Sequence, residues 1–121
     1  MTFQCRSALV TLAGDEALIH FYTNLLSQTP ARHIPGIYAE FQLPGLHLGI
    51  FQPKVDHRPE FAHQAKTGMS ICLEVDNLVG AIAHLTTLGY PPPGEIIVAS
   101  HGREIYAYDP AGNRLILHQT G

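Results

Sequence analysis

The sequence predicts an α+β fold of two βαβββ modules related by a pseudo-twofold, with curved mixed sheets forming a cup and helices outside. Three observations point to it. SALVTLAGDEALIHFYTNLL, beginning at Ser7, is echoed from Ser70 by SICLEVDNLVGAIAHLTTLG. Each half closes on a comparable strand, PGLHLGIFQ over 44–52 and AGNRLILHQ over 111–119. These align without a gap, so that Gly45 falls on Gly112, His47 on Arg114 and Gly49 on Ile116. Apolar and polar residues alternate along the same segments with the period of two that a half-buried strand requires. A duplicated unit of this kind implies two modules that enclose a cavity at their joint. Module one runs over about 1–52, a linker over 53–67 and module two over about 68–121, within one domain of 121 residues.

Each element has its own signal. A first strand is expected over 5–12 and a helix over 15–26, where Asp15 can cap and Ala17, Leu18, Phe21 and Leu25 recur at helical spacing. Residues 28–35 contain Pro30 and Pro35 and read as a loop. Strands follow over 37–43 and 46–51, split by the Pro44-Gly45 turn. The polar stretch 52–67, with Pro53 and Pro59, has no clear period and leaves room for a short helical turn. The next strand spans 69–75, and a helix spans 78–88 before Gly89 stops it. Pro91-Pro92-Pro93-Gly94 then breaks the chain ahead of strands over 95–99, 103–108 and 114–119. Asp109-Pro110-Ala111-Gly112-Asn113 is a turn signature between the last two.

Composition excludes several classes of function. The chain is 45% hydrophobic and 14% charged, as a folded protein is. Its net charge of −3, seven Lys and Arg and pI near 6.2 give no basic footprint for nucleic acid or a membrane surface. Neither a cationic segment leading an apolar one nor a span-length apolar run is present. Cys5 and Cys72 fall in predicted strands, which points to free thiols and a cytoplasmic protein.

Alternation separates two faces on every strand. Ala8, Val10 and Leu12 oppose Cys5, Ser7, Leu9 and Thr11; Met69, Ile71, Leu73 and Val75 oppose Ser70, Cys72 and Glu74. Leu46, Leu48 and Ile50 oppose His47, Gly49 and Phe51, and Leu115 and Leu117 oppose Arg114, Ile116 and His118. The apolar faces call for helices to cover them. The mixed faces carry Ser, Cys, His, Glu and Arg together, which a dry core would not tolerate unpaired. They are expected to line a wet pocket.

The paired βαβββ pattern, FYTNLL over 21–26, ICLEVDNLVGAIAHLTTLGY over 71–90 and HGREIYAYDPAGNRLILHQ over 101–119 together resemble the vicinal oxygen chelate superfamily. That superfamily includes glyoxalase I, extradiol dioxygenases, and fosfomycin- and bleomycin-resistance proteins. The resemblance covers nearly the whole chain and implies that fold, a ligand cavity and a homodimer, in some relatives by module exchange. Its metal-dependent members hold the ion with His, Glu or Gln on the first and last strands of each module. Matched motif by motif, those positions are Ser7, Gly49, Ser70 and Ile116. Glycine and isoleucine offer no side-chain ligand and serine is a poor one for a divalent transition ion. No metal and no other cofactor is therefore expected at those positions.

The eight histidines invite a metal reading. His33, His57, His63 and His101 fall in expected loops and His20 and His84 on helices, with no HxxxH spacing to link them. His47 and His118 lie on mixed faces, where a displaced site with Glu40, Glu74 or Cys72 is the alternative. A nucleophilic cysteine needs a lowered pKa, which a strand centre does not supply to Cys5 or Cys72. Neither Ser7 nor Ser70 stands in a GxSxG motif. Arg103 has the strand parity of Ile105 and Ala107 and reads as a surface residue, while the turn itself accounts for Asp109 and Asn113.

The expected function is binding of a small organic molecule in the cup, as bleomycin-resistance proteins bind. Its walls would be Tyr38, Phe51, Tyr106, Tyr108 and Ile116, with polar selection by Ser7, Glu40, His47, Ser70, Cys72 and His118. The alternative is a lyase, isomerase or dioxygenase using a displaced metal or a general base such as Glu40, Glu74 or Glu104. A dimerisation module with a filled cavity is a third class. Neither nucleic acid nor membrane is expected as a partner.

Overall fold

Two helices are set by local capping. Asp15 stands in extended backbone ahead of α1 (Glu16–Leu26), and its carboxylate accepts from the amides of Ala17 and Leu18 at 3.0 and 3.4 Å. Asn77 does the same for α2 (Leu78–Thr87), accepting from the Gly80 amide at 2.9 Å. Each cap satisfies amides that the first helical turn leaves without partners. α1 ends at Ser27 in the left-handed region, and α2 runs out at Leu88 ahead of Gly89, as its sequence predicts. The buried face of α1 is Leu18, Ile19, Phe21 and Tyr22. Ala17, expected on that face, is exposed.

The computed structural model describes residues 3–62 and 67–121. His63 and the rest of 63–66, the end of the expected linker, lie outside the described residues. The chain divides into two compact units, Met1–Ala62 and His63–Gly121. In the first, β1 (Val10–Ala13), β2 (Arg32–Ile34), β3 (Tyr38–Leu43) and β4 (Leu46–Phe51) form a sheet in the order β1-β4-β3-β2. β1 runs parallel to β4, which α1 makes possible as a crossover, and the other pairs are antiparallel. In the second unit, β5 (Ile71–Glu74), β6 (Ile97–Ala99), β7 (Gly102–Tyr108) and β8 (Arg114–Thr120) repeat the pattern as β5-β8-β7-β6. β5 is again the parallel partner, here of β8.

Each unit has its own core. Leu18, Phe21 and Tyr22 of α1 are buried with Ala39 and Phe41 of β3 and Leu48 and Ile50 of β4. In the other, Leu78 and Leu85 of α2 are buried with Ile105, Ala107, Leu115 and Leu117. Each fully buried leucine or phenylalanine contributes about 1.5–3 kcal/mol. The strand parities predicted from alternation therefore hold in β3, β4, β7 and β8. Among the described residues no helix is long and apolar enough to cross a membrane.

Two expectations about elements need correction. The first strand begins at Val10, not residue 5, and residues 3–9 are exposed. Alternation scores pattern, whereas a strand also needs a neighbour, and β1 is an edge strand that pairs with β4. Residues 32–34, expected in a loop, form β2, an edge strand flanked by Pro30 and Pro35 and paired to β3. The linker carries a 3-10 helix, Val55–Phe61, with Pro59 inside it.

The repeat itself also shifts. Thr11 pairs with Gly49 and Cys72 with Ile116, so with Gly49 equivalent to Ile116, Thr11 is equivalent to Cys72 and Leu9, not Ser7, to Ser70. The echo of Ser7 in Ser70 is thus two residues out of register, and one of the two is the spacing to the cap: Gly14 alone separates β1 from Asp15, where Val75 and Asp76 separate β5 from Asn77.

Candidate functional site

The mixed face of the first sheet is organised around Tyr38. β3 alternates so that Ala39 and Phe41 are fully buried and Tyr38, Glu40 and Gln42 turn the other way. The Tyr38 hydroxyl donates to Glu40 Oε1 at 2.7 Å. Its ring covers Gly49, where a Cβ would stand 2.8 Å from the phenol oxygen. Burial, then the Glu40 hydrogen bond and charge, push the phenol up to about 12, with Arg32 opposing. His47 Nδ1 lies 3.8 Å from Glu40 Oε2. Phe51, expected as a ligand wall, packs edge-on against Phe61 of the 3-10 helix with ring centroids 5.1 Å apart. Ser7 does not join this group: it precedes β1, is exposed, and its carbonyl accepts from the Cys5 thiol at 3.2 Å.

The second sheet presents three rows of paired residues on its mixed face. At one end Arg114 stands opposite Tyr108 and donates to Ser70 Oγ at 3.0 Å and the Thr67 carbonyl at 2.9 Å. In the middle, Cys72, Ile116 and Tyr106 lie side by side, and Tyr106 is 41% exposed. Burial, and then the charges of Glu104 and Glu74, push the Cys72 thiol up, which favours the less nucleophilic thiol form at neutral pH. At the far end Glu74, His118 and Glu104 are in register.

That last row is the most connected. Glu74 Oε1 lies 2.7 Å from His118 Nδ1, and Glu74 Oε2 accepts from the Thr120 amide and hydroxyl, both at 2.8 Å. These bonds, His118 first, hold the Glu74 carboxyl below the usual range. His101, in the turn between β6 and β7, stacks on His118 with centroids 5.1 Å apart and planes 13° from parallel. Its Nε2 is 3.7 Å from Glu104 Oε1.

Sequence reasoning placed His101 alone in a loop and missed this cluster. A signal was present: counting outward from the Asp109–Asn113 turn pairs Tyr108 with Arg114, Tyr106 with Ile116 and Glu104 with His118, the register observed. Arg103 has the parity of Ile105, as expected, but it is half-buried and donates to Gln119 Oε1 at 3.4 Å; the same oxygen accepts from the Leu78 amide at the start of α2. Asp109 is the turn residue expected, its carboxylate accepting from the Ala111 and Asn113 amides and the Asn113 side chain.

The metal-holding positions implied by the resemblance do not suit an ion here. Tyr38 occupies the space over Gly49, Ile116 has no donor atom, and the Ser70 hydroxyl is engaged by Arg114. Ser7 stands outside β1, and its structural replacement, Leu9, is no ligand.

Neither a protein-family model nor a curated protein matches the sequence. Solved structures do match. A glyoxalase-related enzyme from Fulvimarina pelagi aligns with a TM-score of 0.75 at 19% identity, over 95% of this chain and 88% of its own. The fosfomycin resistance protein FosX from Listeria monocytogenes aligns at 0.75 with 17% identity, over 98% and 96%. A bleomycin resistance determinant encoded on transposon Tn5 aligns at 0.65 with 21% identity, over 96% and 98%. At such identities the likeness speaks for architecture: this chain has the two-module βαβββ fold of the vicinal oxygen chelate superfamily.

Proposed function

We propose that this chain is a small-molecule binding protein of the glyoxalase/bleomycin-resistance type, which holds an organic ligand against the mixed faces of its sheets. The observation that carries this reading is the middle row of the second sheet. There the aromatic ring of Tyr106 is 41% exposed beside Cys72 and Ile116, with ionisable groups at both ends of the row. An aromatic surface flanked by placed polar groups is what a small-ligand site offers: apolar area for affinity and a few hydrogen bonds for orientation. The chain's net charge of −3 disfavours an anionic head, so the favoured ligand has a heteroaromatic body and a neutral or cationic head.

The test is a thermal-shift and calorimetric titration of the intact chain with cationic heteroaromatic compounds, bleomycin among them, and with fosfomycin as the anionic comparison. The expected result is stabilisation by one or more of the cationic compounds, lost in Tyr106→Ala. Uniform indifference to the panel, or stabilisation that Tyr106→Ala leaves intact, overturns the proposal. The working form is proposed to be a homodimer, so sedimentation equilibrium should return twice the chain mass of 13.2 kDa.

A further inference from the structure

The His101, Glu104 and His118 cluster has chemistry that ligand binding on the middle row does not use. One ligating atom from each residue can be chosen so that all lie within 4.8 Å of one another. The three come together through pairing: the Ala99–Gly102 pair turns the chain back so that His101 stacks on His118, and the β7–β8 register sets Glu104 beside it.

His118 is the centre. Its Nδ1 faces the Glu74 carboxylate, which has no proton to offer at neutral pH, so Nδ1 is the donor in that bond. The other ring nitrogen, Nε2, is buried and has no hydrogen-bond partner among the described residues. Gly102 leaves the space beside it, since a Cβ there would stand 3.0 Å from Nε2. A buried polar atom without a partner calls for an explanation, and an ion is one.

We propose that His101, Glu104 and His118 bind a divalent first-row transition ion, with zinc the best match, and that Glu74 orients His118 from behind. Two imidazoles and one carboxylate are a recurrent donor set for zinc and its neighbours, with remaining positions left to water or a ligand. Calcium and magnesium take oxygen donors and are disfavoured by the two imidazoles. A carboxylate on the far nitrogen of a metal-binding histidine fixes its tautomer and raises its basicity, and that is the place Glu74 holds. Bonds of about 2.0–2.2 Å require the donors to draw closer than they stand. His101, exposed in a two-residue turn, is free to supply that movement. The site lies two residues along β8 from Ile116, off the positions implied by the family resemblance, and does not depend on the ligand-binding proposal.

The experiment is calorimetric titration of the tag-free, full-length chain with zinc chloride, paired with cobalt(II) absorption spectroscopy as a readout of coordination. The expected result is one ion per chain with a dissociation constant in the micromolar range or tighter, and cobalt bands typical of four or five ligands. His101→Ala and Glu104→Gln should each weaken binding at least tenfold. Glu74→Gln should weaken it about 10–100-fold, as loss of an orienting partner does. His57→Ala, on the 3-10 helix, should bind as the wild type does. Circular dichroism of His101→Ala, an exposed turn position, should match the wild type, so lost binding is read as lost ligation. Absence of stoichiometric uptake overturns the proposal. So does uptake that His101→Ala and Glu104→Gln both leave unchanged, because the ion would then sit on other histidines.

Discussion

At the scale of the residue, two side chains have titrations displaced by their surroundings. Tyr38 is one. Its phenol is held neutral by burial and by donation to Glu40, with a pKa of about 12. A folded-state value above the unfolded one near 10 means the stabilisation is complete below pH 10 and is lost as pH rises through about 12. Gly49→Ala would push its Cβ against the Tyr38 hydroxyl. That hydroxyl is the far end of a side chain and can move, so the stability cost should stay within about 1 kcal/mol, part of it offset by removing a strand glycine. The titration should change far more. Absorbance near the tyrosinate band, with Tyr38→Phe as the reference that lacks this titration, should show Tyr38 falling from about 12 toward 10.

Glu74 titrates the other way. Hydrogen bonds from His118 and Thr120 lower its pKa from the ordinary 4.5. Its contribution is therefore present above the ordinary value and lost as pH falls through the depressed one. Urea midpoints of wild type and Glu74→Gln should differ at pH 7, with the wild type higher, and converge as pH drops well below 4.5. A gap that persists in acid would show that the glutamate acts through packing rather than charge.

At the scale of the element, the β7–β8 hairpin positions most of what matters on the second sheet. Its turn is built by Asp109, 3% exposed, whose carboxylate accepts three hydrogen bonds between 2.8 and 2.9 Å. Asp109→Ala would strand these donors while the hairpin stays paired through seven register positions. The expected loss is about 1–2 kcal/mol, read from urea unfolding, because half-buried donors lose a carboxylate that water replaces only in part. The same turn fixes the register that brings Glu104 to His118, so zinc affinity should fall with stability in this variant. Helix boundaries were legible for a related reason. Asp15 and Asn77 act on amides two and three residues away, and a signal confined to four residues can be seen without the fold.

At the scale of the whole molecule, charge is the property the chain shows at large. Its formal charge is −3 with histidine neutral, and charging all eight histidines would make it positive. Histidine is the side-chain type that gains charge between pH 5 and 8. Electrophoretic mobility should reverse close to pH 6.2, with solubility at its lowest there. A reversal displaced by a unit or more would point to bound ions, and zinc should raise the crossing point.

Much of the architecture was determined by the sequence alone: the duplication, the two capped helices, the parity of β3, β4, β7 and β8, and the Asp109 turn. Each of these rests on residues close along the chain, through periodicity, caps or turn chemistry. Only tertiary structure decided that Arg32–Ile34 is a strand, that β1 starts at Val10, and that Leu9 rather than Ser7 matches Ser70. It also decided that His101 and Glu74 join Glu104 and His118, a pair the hairpin turn already sets in register. The physical reason is common to all four. An edge strand exists through its neighbour's hydrogen bonds, and the cluster through pairings such as Glu74 with His118, 44 residues apart, which no local pattern encodes.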